Sequence, residues 1–187
     1  MAKLVLFMHV SADGFVGGPN GEMDWIHVDE EIFEYAGGRT NEADTALYGR
    51  KTFQMMDAYW PTAAEKPGAS KHDIEHAAWY NRVTKVVLSR TLKSEDLKNT
   101  VIISKKVADE INMLKKTGKK DILIFGSPDA VHSLMAENLI DGYWLMVNPV
   151  LLGAGIPLFK NIKDRVKLKL ANHHALSSGV VCLHYEI

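Results

Sequence analysis

Three turns in this sequence carry the residue types that grip phosphate and ribose oxygens. Gly49-Arg50-Lys51-Thr52 puts a residue without a side chain, two cations and a hydroxyl at the start of a helical stretch. Ser89-Arg90-Thr91 sets two hydroxyls and a guanidinium after the apolar run Val86-Val87-Leu88, where arginine can hold a phosphate by two parallel hydrogen bonds. Gly126-Ser127-Pro128-Asp129 opens a helix after the apolar residues 122–125. Free N–H groups and the positive dipole end at a helix start favour an anion there. Each turn also has an ordinary explanation: a solvated basic helix start, a polar strand end, and a helix start completed by Ser127 as N-cap, Pro128 in the first turn and Asp129 against the dipole. No Gly-x-Gly-x-x-Gly follows a strand, and no P-loop signature occurs. From pattern alone, this is an anion-binding protein.

Other chemistries have less to stand on. His72 and His76 have helical i, i+4 spacing without an obvious third ligand, and His173 and His174 are neighbours on a strand and face opposite sides, so no metal is expected. Cys182 is the lone cysteine, which excludes an intrachain disulfide and fits a reducing cytoplasm. Twenty-two basic against 23 acidic residues give a formal net charge of -1, with no general attraction for nucleic acid. The N-terminal apolar run is of strand length, so neither a signal peptide nor a membrane span is expected. Trp25, Trp60, Trp79 and Trp144 read as core or rim packing.

The elements that must position these turns follow from periodicity. Residues 3–10 form a buried strand and 11–21 a glycine-rich loop; Val28, Ile32, Phe33 and Ala36 mark a helix stopped by Gly37-Gly38. Strands at 45–48, 85–89, 100–103 and 122–125 alternate with helices through Phe53, through Ala77 and Tyr80, through Ile111 and through Val131 and Leu134, with Ser104 capping the third of these and Gly118 ending it. That alternation predicts an α/β fold with a largely parallel sheet covered on both faces. Residues 143–152, 166–176 and 180–187 are strand-like and should pair antiparallel at one edge, with a tight turn at Ser178-Gly179. The 187 residues give eight strands in one mixed sheet and one domain over 1–187.

The ordered set Val10-Ser11-Ala12-Asp13-Gly14-Phe15-Val16-Gly17, Gly49-Arg50-Lys51-Thr52, Val86 through Leu92, Phe125-Gly126-Ser127 and Asn148 through Phe159 resembles the dihydrofolate-reductase-like superfamily. It is most similar to the reductase domain of bifunctional riboflavin-biosynthesis proteins, over nearly the whole chain. The resemblance implies a three-layer α/β/α fold, an eight-stranded mixed sheet with a C-terminal antiparallel hairpin, and NADPH as cofactor. It puts Val16 and Gly17 at the nicotinamide, Gly49, Arg50, Lys51 and Thr52 at a cofactor turn, Leu88, Ser89, Arg90 and Thr91 at the adenosine phosphate, and Phe125, Gly126 and Ser127 at the pyrophosphate. Pro128 departs from it, standing where related proteins often carry glycine.

A reductase of this kind must also find a proton, and Asp29 and Glu30 at the start of the first helix are the expected source. Asp24, Trp25, Phe33, Pro149 and Gly153 are expected to bind substrate. Leu151, Leu152, Leu158 and Phe159 either close the substrate side or pack against a second subunit in a homodimer. The expected reaction is reduction of 5-amino-6-(5-phosphoribosylamino)uracil. The alternatives are dihydrofolate reduction, which demands a carboxylate deep in an apolar slot, and a nucleotide-binding module without turnover.

Overall fold

In the computed structural model, which describes residues 1–93 and 97–187, the first strand is buried on both faces. This strand, β1 (Leu4–Ser11), points Leu4, Leu6, Met8 and Val10 into one core and Val5 and Phe7 into another. Burying such a side chain contributes roughly 1.5–3 kcal/mol. An exposed ion pair such as Lys3–Glu186 is screened by water and salt and contributes far less. Apolar burial therefore fixes β1 at the centre of the sheet.

After β2 (Phe15–Gly17) come α1 (Glu30–Asn41), β3 (Ala43–Gly49), α2 (Arg50–Asp57), a 3-10 helix (Trp60–Glu65), α3 (Lys71–Arg82), β4 (Thr84–Leu88) and β5 (Thr100–Ile103). The remainder is α4 (Val107–Thr117), β6 (Asp121–Phe125), α5 (Pro128–Ala136), β7 (Gly142–Asn148), β8 (Ile156–Pro157), β9 (Lys169–Ala175) and β10 (Val181–Glu186). The main sheet has the eight expected strands in the order β5-β4-β3-β6-β1-β7-β10-β9. Strands β5 to β7 in that order are parallel, and the hairpin β9–β10 joins antiparallel to β7. Ile111, Val131 and Leu134 of α4 and α5 pack on one face, and Ile32, Phe53, Trp79 and Tyr80 of α1, α2 and α3 on the other.

Several local expectations give way to tertiary contacts. Helix α1 starts only after Val28, at Asp29 as N-cap, and runs straight through Gly37 and Gly38. The last turn is held from outside the helix: buried Arg39 pairs with Asp121 at 2.9 Å and with Glu42, and its guanidinium lies 5.2 Å from the Trp144 ring. Ser104 does not cap α4, whose N-cap is Lys106 in a left-handed conformation. Residues 143–152 do pair antiparallel with the C-terminal hairpin as expected, through β10, but the strand ends at Asn148. On its other side β7 runs parallel to β1, because a helix, not a hairpin, leads into it. The loop expected at 11–21 contains β2, which pairs with β8 in a separate two-stranded ribbon.

Candidate active site

Strands β4, β3 and β6 are neighbours, so their C-terminal ends bring the three polar turns side by side. Ser127 locks two of them together. Its hydroxyl accepts from the Gly49 amide at 2.8 Å and donates to the Phe125 carbonyl at 3.0 Å. Ser127 therefore makes no side-chain cap for α5, contrary to its ordinary reading. Gly126 and Ser127 both have positive φ, 54° and 61°, and a Cβ on Gly126 would meet Thr52 Cγ2 at 3.2 Å. The turn thus presents bare backbone above Thr52.

Helix α2 begins beside this turn with exposed Arg50 and Lys51, no acidic residue in its first turn and no side-chain cap. Cations at the positive end of a helix are unfavourable unless an anion sits among them. The donor set therefore fits a pyrophosphate. Pro128 lies within the first turn of α5, where a missing N–H leaves no helical bond unmade. One turn along the sheet edge, the Ser89 hydroxyl accepts from the Thr91 and Leu92 amides at 3.2 and 3.0 Å, holding Arg90 out at the end of β4. Register pairs Leu88 with Gly49 across the strands.

On the other side of β6, two loops are latched to each other. Ser11 Oγ donates to Asp13 at 2.6 Å and accepts from the Phe15 amide at 2.9 Å. Asp13 in turn accepts from the Leu152 and Gly153 amides at 3.1 and 2.7 Å. The Ser11 hydroxyl, then the Gly153 amide, hold the Asp13 carboxyl below its usual range. Gly153 is thus a latch point, and the ribbon beside it carries Val16 and Gly17, both buried. Pro149 is exposed and would touch a Cβ placed on Gly179 of the hairpin turn. Leu158, expected at a loop surface or subunit contact, is fully buried in the core, while Leu151 is exposed.

Two of the acids at the start of α1 are already engaged in hydrogen bonds. Asp29 caps α1, accepting from the Ile32 amide at 2.8 Å and pairing with His27 at 2.8 Å; the Ile32 amide is the main cause that holds its carboxyl low. Glu30 is exposed, Glu31 binds Ser177, and Trp25 donates to the Glu22 carbonyl at 3.0 Å beside exposed Asp24.

Between α1, α3 and the sheet lies a slot of about 130 Å³, lined among others by Phe7, His9, Phe33, His72, His76 and Phe125. Phe125 directly precedes the Gly126 turn, so slot and cradle share a wall. Phe33 alone of the expected substrate residues lines it, stacked on His72 at 3.7 Å and 6°. Among the described residues no carboxylate lines the slot. Burial pushes His9 and His76 down to about 4. The sequence offered no signal for His9, a single polar residue inside an apolar strand. A larger groove, about 1020 Å³, opens at the opposite end of β1, where Lys3 and Lys115 are already paired with Glu186 and Asp141. Among the described residues no group of three or more His, Cys, Asp or Glu could hold a metal ion, and no helix is long and apolar enough to cross a membrane.

The model of the RibD C-terminal domain family matches residues 2–182. The chain belongs to that family. It is 36% identical over 189 residues to the uncharacterized protein YyaP of Bacillus subtilis (strain 168), covering 98% of this chain and 94% of YyaP. Its fold is shared with a pyrimidine reductase-like protein from Corynebacterium diphtheriae, TM-score 0.66 at 14% identity, over 99% of this chain and 91% of that one. A second RibD-type fold is the diaminohydroxyphosphoribosylaminopyrimidine deaminase/5-amino-6-(5-phosphoribosylamino)uracil reductase from Thermotoga maritima, TM-score 0.69 at 13% identity, over 99% of this chain and 56% of that one.

Proposed function

We propose that this RibD-family chain is an NADPH-dependent reductase of a ribosylaminopyrimidine, 5-amino-6-(5-phosphoribosylamino)uracil, in the cytoplasm. The observation that carries the reading is the interlocked cradle of Gly49, Thr52, Gly126 and Ser127 with the uncompensated cations Arg50 and Lys51 on its rim. Val16 and Gly17 would flank the nicotinamide, Arg50 and Lys51 the pyrophosphate, and Arg90 the adenosine phosphate. NADPH, when bound, supplies the hydride. The chain's own part is to hold the acceptor ring against that position and keep water away, which the apolar slot beside Phe125 suits. That no carboxylate lines the slot among the described residues favours the ribosylaminopyrimidine over dihydrofolate.

Titrating the protein against NADPH fluorescence, then following absorbance loss with each substrate, tests the reading. Saturable binding and oxidation with the ribosylaminopyrimidine are expected; no saturable binding would sink it, and binding without oxidation by either substrate would favour a nucleotide-binding module. Arg90→Ala should weaken NADPH by about tenfold or more, the worth of a charged hydrogen bond, and NADH far less. Equal losses would remove the Ser89-Arg90-Thr91 turn from the phosphate site.

A second copy of the chain is the proposed partner. Strand β9 is one of the two sheet edges, all seven of its residues are exposed, and Leu170 on it and Leu168 just before it stand out at 47% and 39% exposure. Edges of this kind are ordinarily covered. Light scattering should return the mass of two chains, and Leu170→Lys should shift it toward one; a monomeric parent protein would refute the pairing.

A further inference from the structure

The amide of Asn148 has its orientation dictated by backbone on two sides. Its Oδ1 accepts from the His27 amide at 3.0 Å, and its Nδ2 donates to the Met146 carbonyl at 3.0 Å. Flipping it would set donor against donor and acceptor against acceptor, and Asn148 is buried at 1% exposure. The same Nδ2 lies 3.2 Å from His9 Nδ1, which must then accept. An imidazole that accepts at Nδ1 and is neutral carries its proton on Nε2.

We infer that His9, held neutral in the Nε2–H tautomer by Asn148, is the donor that orients substrate in the slot, offering its proton to a carbonyl of an uncharged single ring. The inference rests on the reductase reading for the word substrate, not for the hydrogen bonds. Every group packed around the slot agrees. The lining from α1 is Ile32, Phe33, Ala36, Gly37 and Thr40, none titratable; β6 and β7 give Phe125 and Met146; and α3 gives only His72 and His76. Among the described residues no carboxylate lines the slot to pair with a cationic ring or to charge His9, and burial disfavours the imidazolium. The stacked pair Phe33–His72 supplies a flat wall, and the volume leaves room for one ring only. His9 is thus a specificity-determining residue of this chain.

The test uses the whole protein without cofactor, with uracil as neutral ring and benzamidine as cationic ring. Nitrogen-15 spectra of labelled histidine should show His9 as the neutral Nε2–H form at pH 7, and uracil should shift its resonance. His9→Phe should weaken uracil about tenfold, the worth of one hydrogen bond. His9→Gln, which restores an N–H donor, should recover most of that, and its retained thermal midpoint would show that the fold survives. In turnover the Phe variant should raise KM more than it lowers kcat. A charged or Nδ1–H ring at His9, no uracil binding, equal affinity for benzamidine, or a Gln variant no better than Phe would each overturn the assignment. Failure of NADPH oxidation would instead strike the reductase reading, because the tautomer and uracil measurements need no turnover.

Discussion

Lowering the pH from 7 to 4 is expected to strip several kcal/mol from the stability of the fold. His9 and His76 are both pushed down by burial to about 4, against an ordinary value of about 6.5. Between those values the unfolded chain takes up protons that the folded chain refuses, so stability rises with pH in that window and falls as acid is added. Each pH unit is worth about 1.4 kcal/mol per group, so each histidine contributes on the order of 3 kcal/mol that is fully lost below about pH 4. His72 and His184 are lowered too, in the same direction and also by burial. Urea unfolding at pH 7, 5.5 and 4.5 should show the decline, and His76→Phe, which keeps a ring against Trp60, should make it shallower. Stability independent of pH over that range would show that these rings are solvated in the fold.

Gly155→Ala should be the most damaging single methyl in the protein. Gly155 has φ of 154°, and a Cβ there would fall inside contact distance of the Gly17 carbonyl and close to Gly18 Cα. Both obstacles are backbone, so the β2–β8 ribbon must part. Strain and overpacking of this kind cost roughly 2–4 kcal/mol. In a chain of 187 residues that is a fall of about 4–16 °C in Tm. Gly153→Ala is the matched control: φ is also positive, at 72°, but its Cβ would meet nothing within 4 Å, so the cost is about 1–2 kcal/mol. Val16 and Gly17 move with the ribbon, so Gly155→Ala should also depress kcat/KM with NADPH. Equal thermal shifts in the two variants would mean that the Gly17 carbonyl is not a barrier.

Elements whose signal is local were legible from sequence. The strands β3 to β6 followed from short apolar runs, and the polar turns from what comes after them. Features set by distant partners were not. Nothing within ten residues of Gly37-Gly38 announces that Arg39 will find Asp121 and carry α1 through both glycines. Ser127 has every mark of an N-cap, yet its hydroxyl is taken by Gly49 and Phe125, which no local rule could foresee. The slot is assembled from α1, α3, β1, β6 and β7, so three histidines that are 63 or more positions apart or a helical turn apart meet only when the sheet closes. Acids at the start of α1 were conspicuous for the opposite reason: first-turn carboxylates serve the helix itself.

The Ser127–Gly49 bond spans 78 positions, and β6 is inserted between β1 and β3, both of which precede it in the chain. Strand β3 can pair with β4 beforehand, but β1 has no neighbour in the main sheet until β6 arrives, so the centre of the sheet closes late and by long-range contacts. A chain emerging from the ribosome has Arg50 and Arg90 in place long before it has a cradle. The cradle proposed to hold the cofactor is therefore completed in one step, at the moment the sheet is sealed, rather than accumulated turn by turn.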